Sequence, residues 1–397
     1  MNSQPIHIAS MEPLLPRAKR DNSALSYDIL LQAGALKSAL PDVSTQQVAA
    51  LVAGMNSYYS NLIEGHRTYP GEIDAALKAD DSADPKKSAL QKLGVAHEAV
   101  EHLMRQRLQT DTELELCSED FICWLHFELY SRLPEQFRIV KDADGKAYTV
   151  EPGKFRDHPA HVGHHIAPRA DKLSRFVARF AEVYSFKSVQ PADRLIAAMA
   201  AHHRFMWIHP FADGNGRVAR LLTTAHLIKA GVDDLGLWSW ARGLARSREA
   251  YYGFLEDADH PRRGDRDGRG QLSDASLNAF IQFGLETIKD QIQFMSDKLD
   301  LLKLETRLED HIRREQPFGV TKNSDAYVRI LIEILRRGEL ARGMVAPLIG
   351  KAPRTARPFI GALEKAGYVT SDGPKKALRI TFAPALRDTC FPRLFIP

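Results

Sequence analysis

The chain has 397 residues, of which 44% are hydrophobic, 26% charged and 8% aromatic. These values are those of an ordinary globular protein and exclude the collagen-like, disordered and coiled-coil classes. Because domains usually contain roughly 100 to 200 residues, we expect two or three folding units.

Apolar stretches, leader signals and cysteines together predict a cytoplasmic protein. The longest apolar stretches, such as 195–201, end well before the ~20 residues that cross a bilayer, so no membrane contact is expected. The N-terminal Lys and Arg follow the weakly apolar part, which is the wrong order for a secretory signal. Cys117, Cys123 and Cys390 are odd in number and lack metal-type spacing, so they support neither a disulfide framework nor a zinc ribbon.

The net charge of +4 is divided unevenly along the chain. Residues 318–397 contain 14 Lys or Arg and 6 Asp or Glu, a surplus of +8 that leaves −4 for residues 1–317. The basic character therefore belongs to the C-terminal part of the chain.

Helical periodicity dominates the first 315 residues or so, after an irregular arm of about 25 residues that is rich in Pro, Ser and charge. Apolar spacings of three and four predict helices over 27–40, 44–64, 86–108, 118–131, 171–185, 191–207, 216–230 and 247–257, and a long amphipathic helix over about 273–314. Between 137 and 166, β-prone pieces alternate with turn signals and predict a partly hairpin-like excursion.

The C-terminal part has its own pattern. Helices are predicted over 324–337, 340–349 and 354–366, with a GE turn between the first two, and they are followed by two β-prone runs around a DGP turn. Three short helices and a small hairpin are the element order of a winged helix-turn-helix.

The segment HPFADGNGRVAR, residues 209–220, joins two predicted helices by a Gly-rich turn. Free N–H groups at the start of the second helix favour an anion, and Asp213 supplies an oxygen ligand suited to Mg²⁺. Arg217 and Arg220 share one helix face and can bind further phosphates, while His209 can accept a hydroxyl proton near neutral pH. A lone DGNG is usually only a turn and a lone His a satisfied polar residue, but their conjunction with two arginines indicates a phosphate site.

This segment resembles the Fic motif, HPFx(D/E)GN(G/K)RxxR, at every fixed position, and the resemblance extends over roughly residues 45–260. Fic proteins are helical enzymes that mostly transfer AMP from ATP to a Ser, Thr or Tyr hydroxyl of a target protein and release pyrophosphate. The resemblance implies a mainly α fold with a β-hairpin flap, ATP as substrate and Mg²⁺ as cofactor.

The resemblance also implies roles for the motif residues. His209 would be the general base for the target hydroxyl, and Asp213 would be the Mg²⁺ ligand. The phosphate oxygens would be bound by Asn215 and by the amides of Gly214 and Gly216, the β phosphate by Arg217 and the γ phosphate by Arg220.

Two further segments resemble parts of the family's site. The stretch Val162, Gly163, His164, His165 and Ile166 resembles the flap, which pairs with the target's backbone by strand addition. Tyr251 and Tyr252 match a tyrosine pair that lines the adenine pocket, whereas such a pair alone is more often core packing. A metal site at His161, His164 and His165 is an alternative, but no nearby carboxylate or Cys completes it.

The segment SNLIEG, residues 60–65, resembles the family's inhibitory motif, (S/T)xxxE(G/N), with Ser60 and Glu64 one helical turn apart and Gly65 next. The resemblance implies that Glu64 pairs with Arg220 in the place of the γ phosphate, since one guanidinium cannot bind a carboxylate and a phosphate at once. Without the downstream motif, Glu64 would be an ordinary helix-end carboxylate.

These patterns predict a helical region over 1–110 with an inhibitory helix at about 44–65, a Fic catalytic core over 111–315 and a winged helix-turn-helix over 318–397. The predicted function is an autoinhibited protein adenylyltransferase that modifies a target protein and itself. The alternatives are a hydrolase that removes AMP, with Glu64 positioning a water, and a nucleotide-sensing regulator that binds DNA.

The C-terminal part is predicted to contact DNA or a protein, including a second copy of the chain as a homodimer. The candidate contacts are Arg354, Thr355, Arg357 and Lys365 on the third helix and Lys375, Lys376 and Arg379 on the wing.

Overall fold

The computed structural model describes residues 6–17, 19–68, 72, 82, 84–141, 145–319, 323–382 and 384–395. They form two compact units. The first consists of the described parts of Met1–Leu31, Asn56–Asp234 and Ser239–Gln291, and the second of those of Gln32–Met55, Leu235–Trp238 and Ile292–Pro397. The fold is mainly helical, as predicted.

The helices of the first 315 residues follow the predicted order. They are α1 (Arg20–Lys37), α2 (Asp42–Ile63), α3 (Pro85–Thr110), α4 (Glu119–Tyr130), α5 (Leu173–Tyr184), α6 (Arg194–Ile208), α7 (Asn215–Lys229), α8 (Trp240–Arg246), α9 (Arg248–Asp257), α10 (Asp274–Leu299) and α11 (Leu301–Glu315). The short helix α8 was not predicted. The long helix predicted over 273–314 divides at Asp300, whose carboxylate accepts a hydrogen bond from the Lys303 backbone N–H at 3.0 Å and caps α11.

The core of the first unit is built around α6 and α7, which pack on each other. Helix α6 is buried on almost every side, which is typical of a central helix. Helices α3 and α4 pack on α7, and α5 packs on α6. The turn between α6 and α7 carries the predicted phosphate site. That site therefore lies between the two helices at the centre of this unit's core.

Two hairpins lie in the predicted excursion. Strands β1 (Ile139–Lys141) and β2 (Ala147–Thr149) pair antiparallel, and so do β3 (His161–Val162) and β4 (His165–Ile166). Residue Gly163, at the tip of the second hairpin, has φ +58°, a left-handed conformation that favours glycine. The small β-hairpin predicted for the flap is therefore present.

The described part of the N-terminal arm is more ordered than its composition predicted. It contains a 3₁₀ turn, Ile8–Met11, and packs on the core of the first unit. The buried guanidinium of Arg204 donates to the Pro13 carbonyl at 2.8 Å, and the Tyr184 hydroxyl donates to the Leu14 carbonyl. Polar partners in the core thus fix a segment that has little periodicity of its own.

The described residues after 323 form α12 (Ser324–Arg337), β5 (Glu339–Leu340), α13 (Arg342–Leu348), α14 (Pro353–Lys365), β6 (Val369–Thr370), β7 (Leu378–Ile380) and α15 (Pro384–Cys390). The three helices and the later strand pair occur in the order predicted for a winged helix-turn-helix. The GE turn was wrong, because Glu339 and Leu340 form an edge strand on β7, giving an antiparallel sheet in the order β5-β7-β6. Leu340 is buried there, which favours the strand over a turn.

The second unit also takes in helix α11, which precedes the predicted boundary at 318. Helix α11 packs on α12 and α15. Glu305 accepts from the Arg336 guanidinium at 2.6 Å, and a 2.7 Å hydrogen bond joins His311 Nε2 and the Tyr368 hydroxyl. Within the described ranges, no helix combines the length and the apolar character that a membrane span requires.

Candidate functional site

The turn over 209–214 reverses the chain between α6 and α7 by means of two left-handed residues. His209, at the end of α6, has φ +47°, and Gly214, before α7, has φ +81°. A Cβ on Gly214 would lie 2.4 Å from Cε2 of Tyr130, so both the backbone conformation and the space require glycine.

The side chain of Asn215 closes this turn. Its Oδ1 accepts from the Phe211 backbone N–H at 2.9 Å, and its Nδ2 donates to the Phe211 carbonyl at 2.8 Å. The amide is buried, and it holds the loop in shape. The phosphate contact predicted for Asn215 stays a prediction.

The N-terminus of α7 offers backbone donors to the loop. The first bond within the helix runs from Val218 N–H to the Gly214 carbonyl at 2.9 Å, so the N–H groups of Asn215, Gly216 and Arg217 precede the regular pattern. These donors and the positive end of the helix dipole favour an anion. Anion binding at this turn stays a prediction, which these backbone donors support.

The imidazole of His209 is set up to accept a proton. Its Nδ1 lies 3.3 Å from the Met206 carbonyl, and because a carbonyl can only accept, Nδ1 carries the hydrogen and Nε2 is the free acceptor. Burial lowers the pKa of the ring to about 4, and the nearby charge of Arg156 acts in the same direction. The ring is therefore neutral near pH 7 and can act as a general base.

The carboxylate of Asp213 lies in a hydrogen-bonded cluster. Its Oδ2 accepts from the Tyr130 hydroxyl at 2.6 Å and from Arg217 Nη2 at 3.1 Å. Burial alone would raise the pKa of Asp213, but the Arg217 charge and the Tyr130 hydrogen bond outweigh it and hold the pKa below its ordinary value. Asp213 is therefore ionised near neutral pH. Nε and Nη1 of Arg217 are buried and have no hydrogen-bond partner in the described part of the chain.

The imidazole of His126 supports the same loop from α4. It lies between the rings of Tyr130 and Phe211, with ring centroids 4.4 and 3.9 Å away. The Gly153 backbone N–H donates to Nδ1 at 2.9 Å, so Nε2 carries the hydrogen that it donates to the Asp213 carbonyl at 3.2 Å. Burial lowers the pKa of His126 to about 3, which keeps this tautomer neutral.

Arg220 forms the pair that the sequence predicted with Glu64. Arg220 Nη2 and Glu64 Oε1 are 2.7 Å apart, and Arg220 also donates to the hydroxyl and to the carbonyl of Ser60, both at 2.9 Å. Ser60 and Arg220 are buried, while Glu64 is partly exposed. A Cβ on Gly216 would lie 2.1 Å from Glu64 Oε1, so the carboxylate rests directly on the N-terminal turn of α7.

The C-terminal end of α2, just before Glu64, is held by α9. Arg248 Nε donates to the Ile63 carbonyl at 2.9 Å, and the Tyr252 hydroxyl donates to the same oxygen at 3.2 Å. The last carbonyls of a helix lack partners within the helix and favour cations. These two side chains therefore fix the position from which Glu64 reaches Arg220.

A cavity of about 960 Å³ lies beside the flap and is lined in part by Val162, His165 and Ile166, by Tyr252 and by Asp259. The predicted tyrosine pair is separated here. Tyr252 borders the cavity, but Tyr251 does not: its ring is fully buried and its hydroxyl lies 2.7 Å from His202 Nε2. Neighbouring residues on a helix point in different directions, so only one of the pair can face the cavity.

The flap histidines have different surroundings. His165 Nε2 donates to the Trp207 carbonyl at 2.7 Å, which ties β4 to the end of α6, whereas His164 is exposed. Among the residues that the structure describes, no group of three His, Cys, Asp or Glu side chains is arranged to hold a metal. The alternative metal site at His161, His164 and His165 is therefore not present.

Sequence reasoning missed three side chains that shape this site. They are His126 and Tyr130 on α4 and Arg156 before the flap. The two on α4 continue an ordinary helical pattern, and Arg156 stands in an irregular segment. Only the tertiary structure brings them to the loop at 209–214.

Comparison with known proteins agrees with the motif. Residues 116–227 match the Fic/DOC family. A protein adenylyltransferase Fic of Nematostella vectensis is 28% identical over 206 residues, which cover 51% of this chain and 42% of the relative. Another, of Drosophila mojavensis, is 30% identical over 132 residues, 33% of this chain and 25% of the relative. The chain thus spans less than half the length of these curated relatives.

Solved structures share the fold. A Fic family protein of Desulfovibrio desulfuricans superposes with a TM-score of 0.50 at 17% identity, covering 90% of this chain and 96% of the other. Fic-1 of C. elegans gives a TM-score of 0.52 at 17% identity over 70% of this chain and 73% of the other. The chain therefore shares the fold of these structures, and residues 116–227, which match the Fic/DOC family, include the segment 209–220 whose resemblance predicted that match.

Proposed function

We propose that this Fic-domain chain is a protein adenylyltransferase that transfers AMP from ATP to a hydroxyl of a target protein and of itself. One observation carries the proposal: a neutral His209 with a free Nε2 stands at the same turn as a helix N-terminus and two buried arginines. The names of the relatives support the same reaction.

In this reaction Nε2 of His209 accepts the proton of the target hydroxyl, and the hydroxyl oxygen forms a bond to the α phosphorus of ATP. The bond between that phosphorus and the oxygen bridging to the β phosphate breaks, and pyrophosphate leaves. The N–H groups of Asn215, Gly216 and Arg217 provide fixed donors for phosphate oxygens. The buried, unpartnered nitrogens of Arg217 support a further phosphate contact there.

Asp213 fits the role of the protein ligand for Mg²⁺. Its carboxylate is ionised and lies at the phosphate turn, and Mg²⁺ commonly takes one or two protein carboxylates and completes its shell with phosphate oxygens and water. When bound, the metal neutralises phosphate charge and orients the triphosphate. Arg217 and Tyr130 both donate to Oδ2 of this carboxylate and hold it in place.

The same site carries its own inhibitor, Glu64. The 2.7 Å ion pair with Arg220 occupies the guanidinium that the family motif assigns to the γ phosphate. Ser60 orients that guanidinium by accepting from two of its nitrogens. Binding of ATP in the reactive position then requires Glu64 to leave, so we expect low activity in the natural chain.

The test is auto-modification with each of the four labelled nucleoside triphosphates and Mg²⁺. Glu64→Gly should raise labelling from ATP at least about tenfold, because an ion pair on a buried arginine competes with the phosphate. Adding His209→Ala should abolish it. The matched control is Asp111→Gly, another carboxylate just beyond a helix end, but an exposed one.

Equal, low labelling of the natural chain and of Glu64→Gly would contradict the inhibitory role. The hydrolase alternative makes a different prediction, since removal of AMP from a pre-labelled target would require Glu64 to be present. Stronger labelling from another nucleoside triphosphate would leave the proposed reaction unchanged and would change only the identity of the nucleotide that is transferred.

A second candidate activity, contact with nucleic acid, concerns the C-terminal module over 323–395. Exposed cations that form no ion pair with any described residue include Arg354, Arg357 and Lys365 on α14 and Lys375 and Lys376 between β6 and β7. The acidic neighbours are already used, because Glu364 pairs with Arg342 and Asp372 pairs with Arg379. Arg379, which was predicted to make contacts from the wing, is therefore already paired with Asp372. The free cations support contact with the phosphates of a DNA duplex.

A further inference from the structure

Arg156 is a buried cation between the two ends of the flap. It lies in the first unit, and only 4% of its surface is exposed. Every nitrogen of its guanidinium donates to a backbone carbonyl: Nε to that of His209 at 2.9 Å, Nη1 to that of His158 at 2.7 Å and Nη2 to that of Pro168 at 2.5 Å. Its own backbone N–H donates to the Pro210 carbonyl at 2.9 Å.

These contacts are unusual for an arginine inside a protein. A buried charge is ordinarily paired, yet within the described residues no carboxylate forms an ion pair with Arg156. Burial lowers the pKa of its guanidinium to about 10, which leaves it protonated near neutral pH. Carbonyl dipoles therefore stabilise the charge, and each of them loses its partner if the arginine is removed.

The three carbonyls connect the two parts of the site that must meet during the reaction. The carbonyls of His158 and Pro168 lie on either side of the hairpin β3–β4, which begins at His161 and ends at Ile166. The third carbonyl belongs to His209, whose backbone is left-handed. Such a conformation is strained and tends to relax unless the surrounding contacts hold it. One planar side chain thus fixes both ends of the flap and the backbone of the general base.

We propose that Arg156 is a positioning residue that holds the flap and His209 in one fixed geometry, so that a target hydroxyl presented by the flap meets Nε2 of His209. This inference rests on the proposed function. It goes beyond the motif, because Arg156 touches neither the phosphate turn's donors nor the Glu64 pair. Positioning of this kind accounts for large rate factors when two groups must approach within a narrow distance.

A guanidinium suits this task where an ammonium would not. Its donors form a rigid planar fork, so that three separate carbonyls can be bound at once, whereas the single nitrogen of lysine cannot reach all three positions. Arg156→Lys therefore keeps the charge and loses the geometry, while Arg156→Gln loses both. Arg169→Gln is the matched control, because Arg169 is an exposed cation beside Pro168 that pairs with Asp171.

The first measurement does not depend on activity. Hydrogen exchange of the full chain is followed by mass spectrometry over 158–168, where the Ala167 N–H donates to the Ala160 carbonyl at 3.0 Å. Exchange there should quicken at least about tenfold in both Arg156 variants and stay unchanged in Arg169→Gln, with α3 as the internal reference for an intact fold. Unchanged exchange in Arg156→Gln would overturn the inference.

The second measurement compares auto-modification in the Glu64→Gly background. The maximal rate should fall at least about tenfold in Arg156→Gln, with partial rescue in Arg156→Lys, while the KM for ATP changes less than about threefold because no phosphate-turn donor is altered. A purely structural role would raise that KM or lower the active fraction in step with stability.

If Glu64→Gly itself transfers no nucleotide, the proposed function fails, and the role of Arg156 is then decided by the hydrogen-exchange measurement alone. If Glu64→Gly is active and Arg156→Gln retains its full rate, the positioning role is wrong.

Discussion

The chemistry at the residue scale depends on which form of His209 is present. Burial, helped by the charge of Arg156 and opposed by the hydrogen bond to the Met206 carbonyl and by Asp213, lowers the pKa of the ring to about 4. At pH 6 the neutral form should exceed the protonated form by roughly 100 to 1, whereas an ordinary histidine would already be mostly protonated.

We therefore expect the His209 ring to remain neutral from pH 8 down to about pH 5.5. The measurement is an NMR titration of the imidazole resonances, with the His209 signals assigned as those missing from His209→Ala. Because the unfolded chain binds the proton near the ordinary value of 6.5, the free energy of unfolding should fall as pH drops from 6.5 towards 4. A titration midpoint near 6.5 in the folded chain would contradict this assignment.

At this scale the sequence predicted only those site residues that lie together in short segments of the chain. The residues from His209 to Arg220 and the Glu64 pair were readable because their chemistry is concentrated in short segments. Tyr130 and Arg156 were not, since their roles depend on hydrogen bonds to residues more than fifty positions away. Nor could the sequence say which of Tyr251 and Tyr252 borders the cavity beside the flap, because a repeated residue type does not indicate the direction of each side chain on a helix.

At the scale of elements, the inhibition that we propose depends on where helix α2 ends. Glu64 follows its last residue, and the Ile63 carbonyl accepts hydrogen bonds from Arg248 and Tyr252 on α9. The contact is a helix C-terminus held by a cation, an arrangement that the helix dipole favours. Helix α9 therefore limits how far the carboxylate can move from Arg220.

We expect Arg248→Ala to release part of the inhibition. Loss of one charged hydrogen bond should raise auto-modification of the otherwise natural chain about three- to tenfold, less than Glu64→Gly does. Arg246→Ala is the control, since Arg246 is a nearby exposed cation whose partner is Asp290. Labelling with ATP measures all three variants side by side. Equal labelling of Arg248→Ala and Arg246→Ala would show that the Ile63 contact does not support the inhibitory position.

The bounds of helices with a regular spacing of apolar residues were predicted closely. The bounds of elements that depend on tertiary contacts were not. Helices α5, α12 and α14, whose apolar residues lie along one face, differ from their predicted bounds by at most two residues. The break at Asp300 lies within a continuous amphipathic pattern and depends on a side-chain cap. Strand β5 has only two residues and forms by pairing with the edge of β7. The local sequence at Glu339 and Leu340 does not indicate this pairing.

At the scale of the whole molecule, the charge is divided between parts with different chemistry. The surplus of +8 over 318–397 contrasts with −4 over the rest of the chain. In the C-terminal module Glu364 and Asp372 form ion pairs. Exposed cations without an ion pair to a described residue lie on α14, on the loop between β6 and β7 and, as Arg329, on α12. The proposed ATP site, by contrast, depends on a few buried groups and not on net charge.

The full chain should therefore bind duplex DNA with an affinity that falls steeply as salt rises, because each phosphate contact releases a counterion. Arg354 and Arg357 are three residues apart and share one exposed face of α14. Replacing each with Ala should reduce the slope of log affinity against log salt by about 1. Arg336→Ala, which removes a cation already paired with Glu305, should leave the slope unchanged.

The measurement is fluorescence anisotropy of a labelled duplex titrated with the full chain at several salt concentrations. Binding should survive His209→Ala, since we assign that residue to the proposed transfer reaction and not to the basic surface. Equal slopes for the natural chain and for the Arg354 and Arg357 variants would exclude α14 as the contact. Absence of salt-dependent binding would instead favour a protein partner for the module, because the exposed cations that form no ion pair with a described residue would then have no phosphate to bind.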